Sequence, residues 1–197
     1  FWNGQQMVYG DGDGQVFGSM FGSPDVIGHE ITHGVTQFES ALRYEGESGA
    51  LNESLSDVVG AVFLQWLNGW DVSVADGWRV GAGILGPAAR ARGYACLRDL
   101  ADPSAAHCLS RQPARYADID PTADVHLNSG VPNRAFCAYA QALALQPKTC
   151  AKGVCDAKAL ATTADPLFLA HLLLVMGAND AMGSCADYSV YGVTAAG

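Results

Sequence analysis

The sequence predicts a mainly α-helical protein of the α+β class, a helical bundle with a small β-hairpin near its N-terminus. Residues 5–9 are expected to form a short strand, and the glycine-rich run at 10–14 reads as a tight turn. Ser23-Pro24-Asp25 is typical of a helix start, so a first helix is expected over 26–38. A second helix is expected over 50–66, because apolar residues recur there every three or four positions, at Leu51, Leu55, Val58, Val59 and Val62.

The rest of the chain contains fewer elements. Residues 68–86 read as a connection rich in Gly, Trp and Asp, and residues 87–125 contain four prolines and are expected to be mostly irregular. Further helices are predicted over 133–145 and 166–176. The length of 197 residues suits a single domain. Within it, residues 1–66 hold the hairpin and the first two helices, and residues 67–197 form a helical C-terminal part.

Composition excludes several classes of protein. Apolar residues make up 49% of the chain and charged residues 16%, which is typical of a globular protein. The net charge of −9 argues against a nucleic-acid partner, because phosphate binding needs clustered Lys and Arg. The longest apolar run, 167–176, is shorter than the roughly 20 residues of a membrane span. We therefore expect neither a nucleic-acid nor a membrane partner.

The six cysteines predict disulfides and an oxidising compartment, since none lies in a C-x-x-C pair. The shortest closures join Cys96 to Cys108 and Cys150 to Cys155, which leaves Cys137 for Cys185. Other pairings stay open, and so does the alternative of buried free thiols.

The segment His29-Glu30-Ile31-Thr32-His33 has the pattern H-E-x-x-H. On a helix, positions i and i+4 share a face, so both imidazoles can reach one metal ion. Glu30 is then placed to act as general base toward metal-activated water. Taken alone, the same pattern also fits a solvated helix face that carries two histidines.

The second predicted helix strengthens the metal hypothesis. Two antiparallel helices with a short connection would bring Glu53 beside the histidine pair, giving two nitrogens, one oxygen and an open position, as in catalytic zinc sites. Asp57 follows one turn later and can accept the free N–H of a ligand histidine. The metzincin pattern is excluded, because Thr36 and Glu39 stand where it requires Gly and His.

Five stretches resemble the thermolysin family of secreted zinc endopeptidases, the gluzincins with H-E-x-x-H and a downstream Glu. They are FWNGQQMVYGDGDG at 1–14, DVIGHEITHGVTQ at 25–37, YEGESGALNESLSD at 44–57, LRDLADP at 97–103 and VHLNSG at 125–130. The resemblance implies a zincin catalytic lobe with zinc held by His29, His33 and Glu53. It also implies that Glu30 is the general base and that Asn52 and Asp57 hold the ligand histidines.

The resemblance further implies roles in substrate binding and catalysis. Tyr44 and His126 would donate hydrogen bonds to the transition-state oxyanion, and Arg98 would hold the carbonyl that follows the cleaved bond. Candidates for contacting the substrate are Trp2, Phe17, Met20, Val26 and Leu97. The last four are apolar and fall where the family lines its pocket, so a bulky apolar residue after the scissile bond is the expected preference.

The pattern around His126 departs from the family. The family orients this histidine with an upstream aspartate, and Pro121 stands at that position here. Asp120 or Asp124 is expected to substitute. His107 and His171 match no family position and are read as structural.

Two larger departures concern the N-terminal lobe and calcium. Nearly all of the family's strand-rich N-terminal lobe is missing, which indicates a compact form or a fragment of a longer precursor. The family's calcium pair is not expected, because Leu64 replaces a helix carboxylate and only Asp25, Asp71 and Asp76 are retained; a single weak calcium ion is the alternative. Disulfides are expected to take over its stabilising role, with a contribution of roughly 2–4 kcal/mol for a short loop.

The sequence thus predicts a secreted, extracellular zinc endopeptidase that acts on peptides or proteins, with a pro-segment as a further partner. Two alternatives stay open. One is a zinc aminopeptidase, and the other is a weakly active or inactive zinc-binding lobe that serves as an interaction module.

Overall fold

The computed structural model describes residues 1–144, and its centre is a pair of antiparallel helices. Helix α1 spans Pro24–Glu39 and helix α2 spans Gly46–Asn68. The start of α1 lies against the later part of α2, where a Cβ placed on Gly60 would come within 2.3 Å of the Asp25 carbonyl oxygen. Only glycine permits this close approach, which sets the distance between the two helices. The predicted pair of adjacent helices is confirmed.

Local sequence explains the ends of these helices. Ser23 precedes the first turn of α1, Pro24 occupies it, and Asp25 complements the positive end of the helix dipole. Helix α1 ends at Glu39, and the amide of the capping residue Ser40 still bonds to the Thr36 carbonyl. Helix α2 begins at Gly46, earlier than the predicted Ala50, and is capped after Asn68 by Gly69, whose φ of 64° allows its amide to bond back to the last turn.

The predicted N-terminal hairpin is a short one. Trp2 and Met7 form an antiparallel bridge, and the Val8 amide donates to the Phe1 carbonyl at 2.8 Å. The indole of Trp2 packs directly on Gly34 of α1, where a Cβ would lie 3.2 Å from the ring. The hairpin therefore covers the part of α1 around Gly34 and Gln37, next to His33.

A two-stranded antiparallel sheet joins the predicted connection over 68–86 to the segment over 87–125 that was predicted to be mostly irregular. Strand β1 (Arg79–Val80) pairs with strand β2 (Arg98–Asp99), with Val80 opposite Arg98. Strands of two residues show no alternation, so no sequence pattern could have indicated them. The remaining elements are short 3₁₀ turns at Met20–Gly22, Ala75–Trp78 and Tyr116–Asp118, and helices α3 (Pro87–Ala91), α4 (Val125–Asn128) and α5 (Gly130–Ala144).

The hydrophobic core joins α2, the sheet and α5 behind the helix pair. Its buried members are Val58, Ala61, Trp78, Val80, Leu100, Phe136, Cys137 and Ala140. Burial of the larger of these side chains holds α5 and the sheet against α2, because a fully buried Val, Leu or Phe side chain contributes about 1.5–3 kcal/mol. Elements from distant parts of the sequence are thereby fixed around the centre of α2.

Cys96 and Cys108 form the predicted disulfide. Cys137 is buried in the core, and burial raises the pKa of its thiol to about 12. Its predicted partner, the predicted Cys150–Cys155 bridge, His171 and the helix predicted over 166–176 all lie outside the described residues. Within the described part of the chain, no helix has both the length and the apolar character required to cross a membrane.

Candidate metal centre and active site

Helix α1 presents two histidines on one face. The Nε2 atoms of His29 and His33 lie 3.1 Å apart, because the residues are separated by one helical turn. His29 is buried, with 5% of its surface exposed, and His33 is partly buried. The Nε2 atoms of the two rings are thus close enough to bind one metal ion.

Helix α2 brings the carboxylate of Glu53 to this volume. Its Oε1 lies 3.3 Å from Nε2 of His33, and its Oε2 lies 3.5 Å from Nε2 of His29. Glu53 is fully buried, and among residues 1–144 its Oε2 has no hydrogen-bond partner. A buried carboxylate oxygen without a partner is unfavourable, and a cation bound between the three side chains would satisfy it.

The donor set fits zinc. The ligand atoms of His29, His33 and Glu53 lie within 4.8 Å of one another, and two imidazoles with one carboxylate are typical of catalytic zinc sites. Burial opposes ionisation of Glu53, but the hydrogen bond from His33 and the charges of His29 and Arg98 outweigh it and lower its pKa. Glu53 is therefore held in the charged form that a metal ion requires.

Polar residues of α2 contact the outer nitrogens of both histidines. Asp57 Oδ1 lies 2.9 Å from Nδ1 of His29, and Asn52 Oδ1 lies 2.8 Å from Nδ1 of His33. The hydrogen bond at His33 and the ion-pair contact at His29 both favour a proton on Nδ1, which leaves each Nε2 lone pair free for a metal ion. Ser56 also approaches, with Oγ 3.2 Å from Nδ1 of His33. The sequence analysis missed Ser56, although its position one turn after Asn52 puts it on the same face of α2.

Arg98 is buried beside these carboxylates. Its Nη2 donates to Asp57 Oδ1 at 2.7 Å, and its Nη1 lies 4.0 Å from Glu53 Oε2. Burial opposes ionisation of Asp57 as well, but the charge of Arg98 and then that of His29 prevail and lower its pKa. The structure thus places Arg98 in contact with the acidic residues of α2; its predicted contact with a substrate carbonyl stays a prediction.

Tyr44 and His126 face the same carboxylate from the open side. The Tyr44 hydroxyl donates to Glu53 Oε1 and lies 3.1 Å from Nε2 of His126. Burial and the charge of Glu53 both raise the pKa of this hydroxyl, so it is a proton donor at neutral pH. Both rings are about half exposed, at 52% for Tyr44 and 47% for the His126 side chain, and can therefore contact a bound molecule.

Of the two aspartates considered for orienting His126, the structure favours Asp124. Its Oδ1 lies 2.5 Å from Nδ1 of His126 and accepts the backbone amide of the same residue at 2.9 Å. Asp120 instead accepts from the amide and hydroxyl of Thr122. Asp124 is the cap of helix α4, which explains how it holds both the backbone and the ring of His126.

A cleft of about 460 Å³ opens over His29 and His33. Glu30, Tyr44 and His126 line it, and so does Trp2, whose Nε1 donates to Gln37 Oε1 at 2.6 Å. The other four predicted substrate-contacting residues, Phe17, Met20, Val26 and Leu97, are not among the residues that line this cleft. Their side chains are partly buried.

The three acidic residues considered for calcium are engaged separately. Asp25 is buried and accepts from the Ser23 hydroxyl and, at 2.6 Å, from the Gly81 amide. Asp71 accepts from Ser73, and Asp76 pairs with Arg79. A second group of metal-ligand type, formed by Cys96, Asp99, His107 and Cys108, contains the disulfide, so its sulfurs are joined to each other.

Family models match two adjacent parts of the chain. The model of the thermolysin metallopeptidase catalytic domain matches residues 1–37, and that of the thermolysin metallopeptidase α-helical domain matches residues 40–165. The chain belongs to the thermolysin family. The resemblance drawn from five sequence stretches is therefore confirmed, as is the mainly helical fold with a small sheet.

Individual members of the thermolysin family resemble the chain over most of its length. An extracellular metalloprotease of Pectobacterium carotovorum subsp. carotovorum is 44% identical over 154 residues, which cover 74% of this chain and 43% of that protein. Neutral protease B of Bacillus subtilis (strain 168) is 42% identical over 134 residues, which cover 68% of this chain and 22% of that protein. The chain thus spans less than half the length of these curated relatives.

A solved structure is also similar. The precursor of protealysin, a metalloproteinase from Serratia proteamaculans, superposes with a TM-score of 0.63 at 35% sequence identity. The match covers 93% of this chain and 64% of that chain. This likeness supports the arrangement of α1 and α2 described above.

Proposed function

We propose that this chain is the catalytic part of a zinc-dependent endopeptidase and that His29, His33 and Glu53 hold the metal. The observation that carries the proposal is the convergence of two Nε2 atoms on a buried carboxylate, one oxygen of which lacks a partner among residues 1–144. Membership of the thermolysin metallopeptidase family supports the same chemistry. We further propose that residues 1–197 act as one domain.

A zinc ion at this site supplies Lewis acidity, which polarises a peptide carbonyl and lowers the pKa of water. Glu30 lies between the two histidines on α1 and lines the cleft, with 18% of its side chain exposed. Its carboxylate accepts the proton of the attacking water and later passes it to the leaving amine. Both transfers need a group that reaches the cleft but is not itself held by the metal, and the position next to His29 provides that.

Tyr44 and His126 are proposed to stabilise the oxyanion that develops on the substrate. Their donor atoms lie 3.1 Å apart, so both can reach one oxygen. Asp124 contacts Nδ1 of His126 at 2.5 Å and so fixes the orientation of the ring. Nε2 is thereby kept beside the Tyr44 hydroxyl, where both can approach the same substrate oxygen.

The proposed substrate is a peptide or protein with a bulky apolar residue after the scissile bond. Phe17, Met20, Val26 and Leu97 support this preference, because all four are apolar and only partly buried. Arg98 and Trp2 are proposed to contact the substrate backbone. Secretion and regulation by a pro-segment are proposed from two similar proteins, one described as extracellular and the other as a precursor.

A combined metal and activity assay tests the proposal. The purified chain should contain one zinc ion per molecule, cleave an internally quenched peptide, and lose cleavage with a chelator. Glu30→Gln should keep the zinc and lower kcat by about 10²- to 10⁴-fold. Glu39→Gln, on an exposed position of the same helix, is the matched control and should retain activity.

Each other outcome favours a different function. A chain that binds zinc but cleaves no peptide would be a zinc-binding interaction module. Release of N-terminal residues alone would indicate an aminopeptidase. A chain without zinc, or unchanged turnover in Glu30→Gln, would overturn the proposed mechanism.

A further inference from the structure

Asn133 on helix α5 reaches the metal centre from outside the sequence motifs. It is fully buried, and its Nδ2 donates to Asp57 Oδ2 at 2.8 Å across 76 positions of sequence. Its backbone amide bonds to the Ser129 carbonyl at 3.0 Å, so the residue is fixed within the first turns of α5. No motif or predicted site residue includes it.

The two oxygens of Asp57 have different neighbours. Oδ1 lies against Nδ1 of His29 and accepts from Arg98, whereas Oδ2 accepts from Asn133. Among the described residues, the amide of Asn133 provides the side-chain hydrogen bond at Oδ2. The Asn133 amide therefore fixes the rotation of the carboxylate group, and this rotation sets the position of Oδ1 relative to Nδ1 of His29.

We propose that Asn133 is a positioning residue that orients Asp57 and, through it, the imidazole of His29 for zinc binding. The inference rests on the proposed function of the metal centre. It assigns to α5 a part in metal affinity, in addition to its part in the core.

The chemistry of an amide suits this position. Asp57 already has one buried cation, Arg98, and a second one would leave the cluster with excess positive charge close to a metal ion. A neutral amide satisfies Oδ2 without adding charge. Without it, the carboxylate is free to rotate toward Arg98, and a buried oxygen loses its donor.

The test measures zinc affinity rather than activity alone. Asn133→Ala and Asn133→Leu should each weaken zinc binding by about 3- to 10-fold, less than the 10- to 100-fold typical of residues that touch a ligand histidine directly. The leucine variant keeps the branched shape of the side chain and removes the donor. Affinity is measured by competition with a chelator of known zinc affinity, on the full 197-residue chain and at a temperature where every variant is folded.

Asn128→Ala is the matched control. Asn128 is also a buried asparagine, and its Nδ2 donates to the Asp120 carbonyl at 2.7 Å. It should lower the urea midpoint like the Asn133 variants but leave zinc affinity unchanged. The visible spectrum of the cobalt(II)-substituted protein, which reports ligand geometry, should change in both Asn133 variants and not in Asn128→Ala.

The outcomes separate this inference from the proposed function. If the unmodified chain binds no zinc, the proposed function fails. If it binds zinc and both Asn133 variants bind equally well, with unchanged cobalt spectra, only the positioning role of Asn133 is overturned. An equal loss of affinity in Asn128→Ala would also overturn it, because the loss would then reflect general destabilisation.

Discussion

The hydroxyl of Tyr44 lies 3.1 Å from Nε2 of His126, although 82 positions separate the two residues in sequence. The contact forms because the connection between α1 and α2 and helix α4 both border the cleft over Glu53. A phenol hydroxyl and an imidazole nitrogen can therefore approach the same atom of a bound molecule.

Tyr44→Phe should lower kcat with little effect on zinc content. The substitution keeps the ring and removes only the hydroxyl, and loss of one such donor costs about 10²- to 10³-fold in kcat. Steady-state kinetics with zinc analysis of the same sample would check this. Tyr116→Phe is the matched control, because its hydroxyl donates to Glu47 on the surface. A larger effect on KM than on kcat in Tyr44→Phe would indicate a role in ground-state binding instead.

Asp124→Ala and Asp120→Ala should differ in activity. Asp124 contacts Nδ1 of His126, whereas Asp120 holds Thr122, so only the first change releases the imidazole. We expect Asp124→Ala to lower kcat by on the order of 10-fold or more and Asp120→Ala to have a small effect. Equal activities of the two variants in a peptide-cleavage assay would remove Asp124 from the mechanism.

Arg98→Leu should strongly destabilise the fold. It leaves Asp57 and Glu53 buried without their cation, and breaking such a buried pair costs about 3–5 kcal/mol. Urea unfolding gives the free energy directly. Arg43→Leu is the control, since Arg43 and Glu45 are exposed, and this pair should contribute less than about 1 kcal/mol. A similar loss in both variants would contradict the buried role of Arg98.

Stability of the metal-free protein should fall in acid because of Asp57. Its pKa in the folded protein is lowered below the ordinary value of 3.8, so between the two values the unfolded chain binds more protons. The contribution of Asp57 to the free energy of unfolding is therefore fully present above about pH 4 and is lost as the pH falls below that value. Asp57→Asn should show a shallower decrease in urea midpoint with falling pH. Parallel pH profiles would show that Asp57 does not contribute.

The Cys96–Cys108 disulfide should stabilise the chain more than calcium does. The bridge closes a loop of 12 positions, which corresponds to about 3 kcal/mol in the chain-entropy view. Reductant, or Cys96→Ala together with Cys108→Ala, should lower Tm, and added calcium should not raise it. A melting temperature that responds to calcium and not to reductant would contradict this.

The sequence predicted the elements that depend on local pattern. His29, Glu30 and His33 are spaced for one helix face, and Glu53 follows on an adjacent helix, so their meeting could be derived from helical periodicity. The Cys96–Cys108 disulfide, one of the two short closures, was likewise predictable. The sheet was not, because β1 and β2 have two residues each and are held by packing against α2.

Tertiary contacts account for the remaining differences. Asn133 lies in an ordinary amphipathic helix, and only the packing of α5 on α2 brings it to Asp57. The choice between Asp120 and Asp124 depended on where α4 begins, which sequence reasoning fixes only to within a few residues. The four apolar residues expected around the substrate remain a prediction, because none of them is among the residues that line the cleft.

The three donor side chains come from one stretch of the chain, between His29 and Glu53, whereas Arg98 and Asn133 arrive much later in sequence. Helices α1 and α2 are therefore synthesised well before the two residues that contact Asp57 from later in the chain. Until β2 and α5 have been made, the buried carboxylates of Glu53 and Asp57 lack the guanidinium of Arg98, so the helix pair depends on the later part of the chain for its stability.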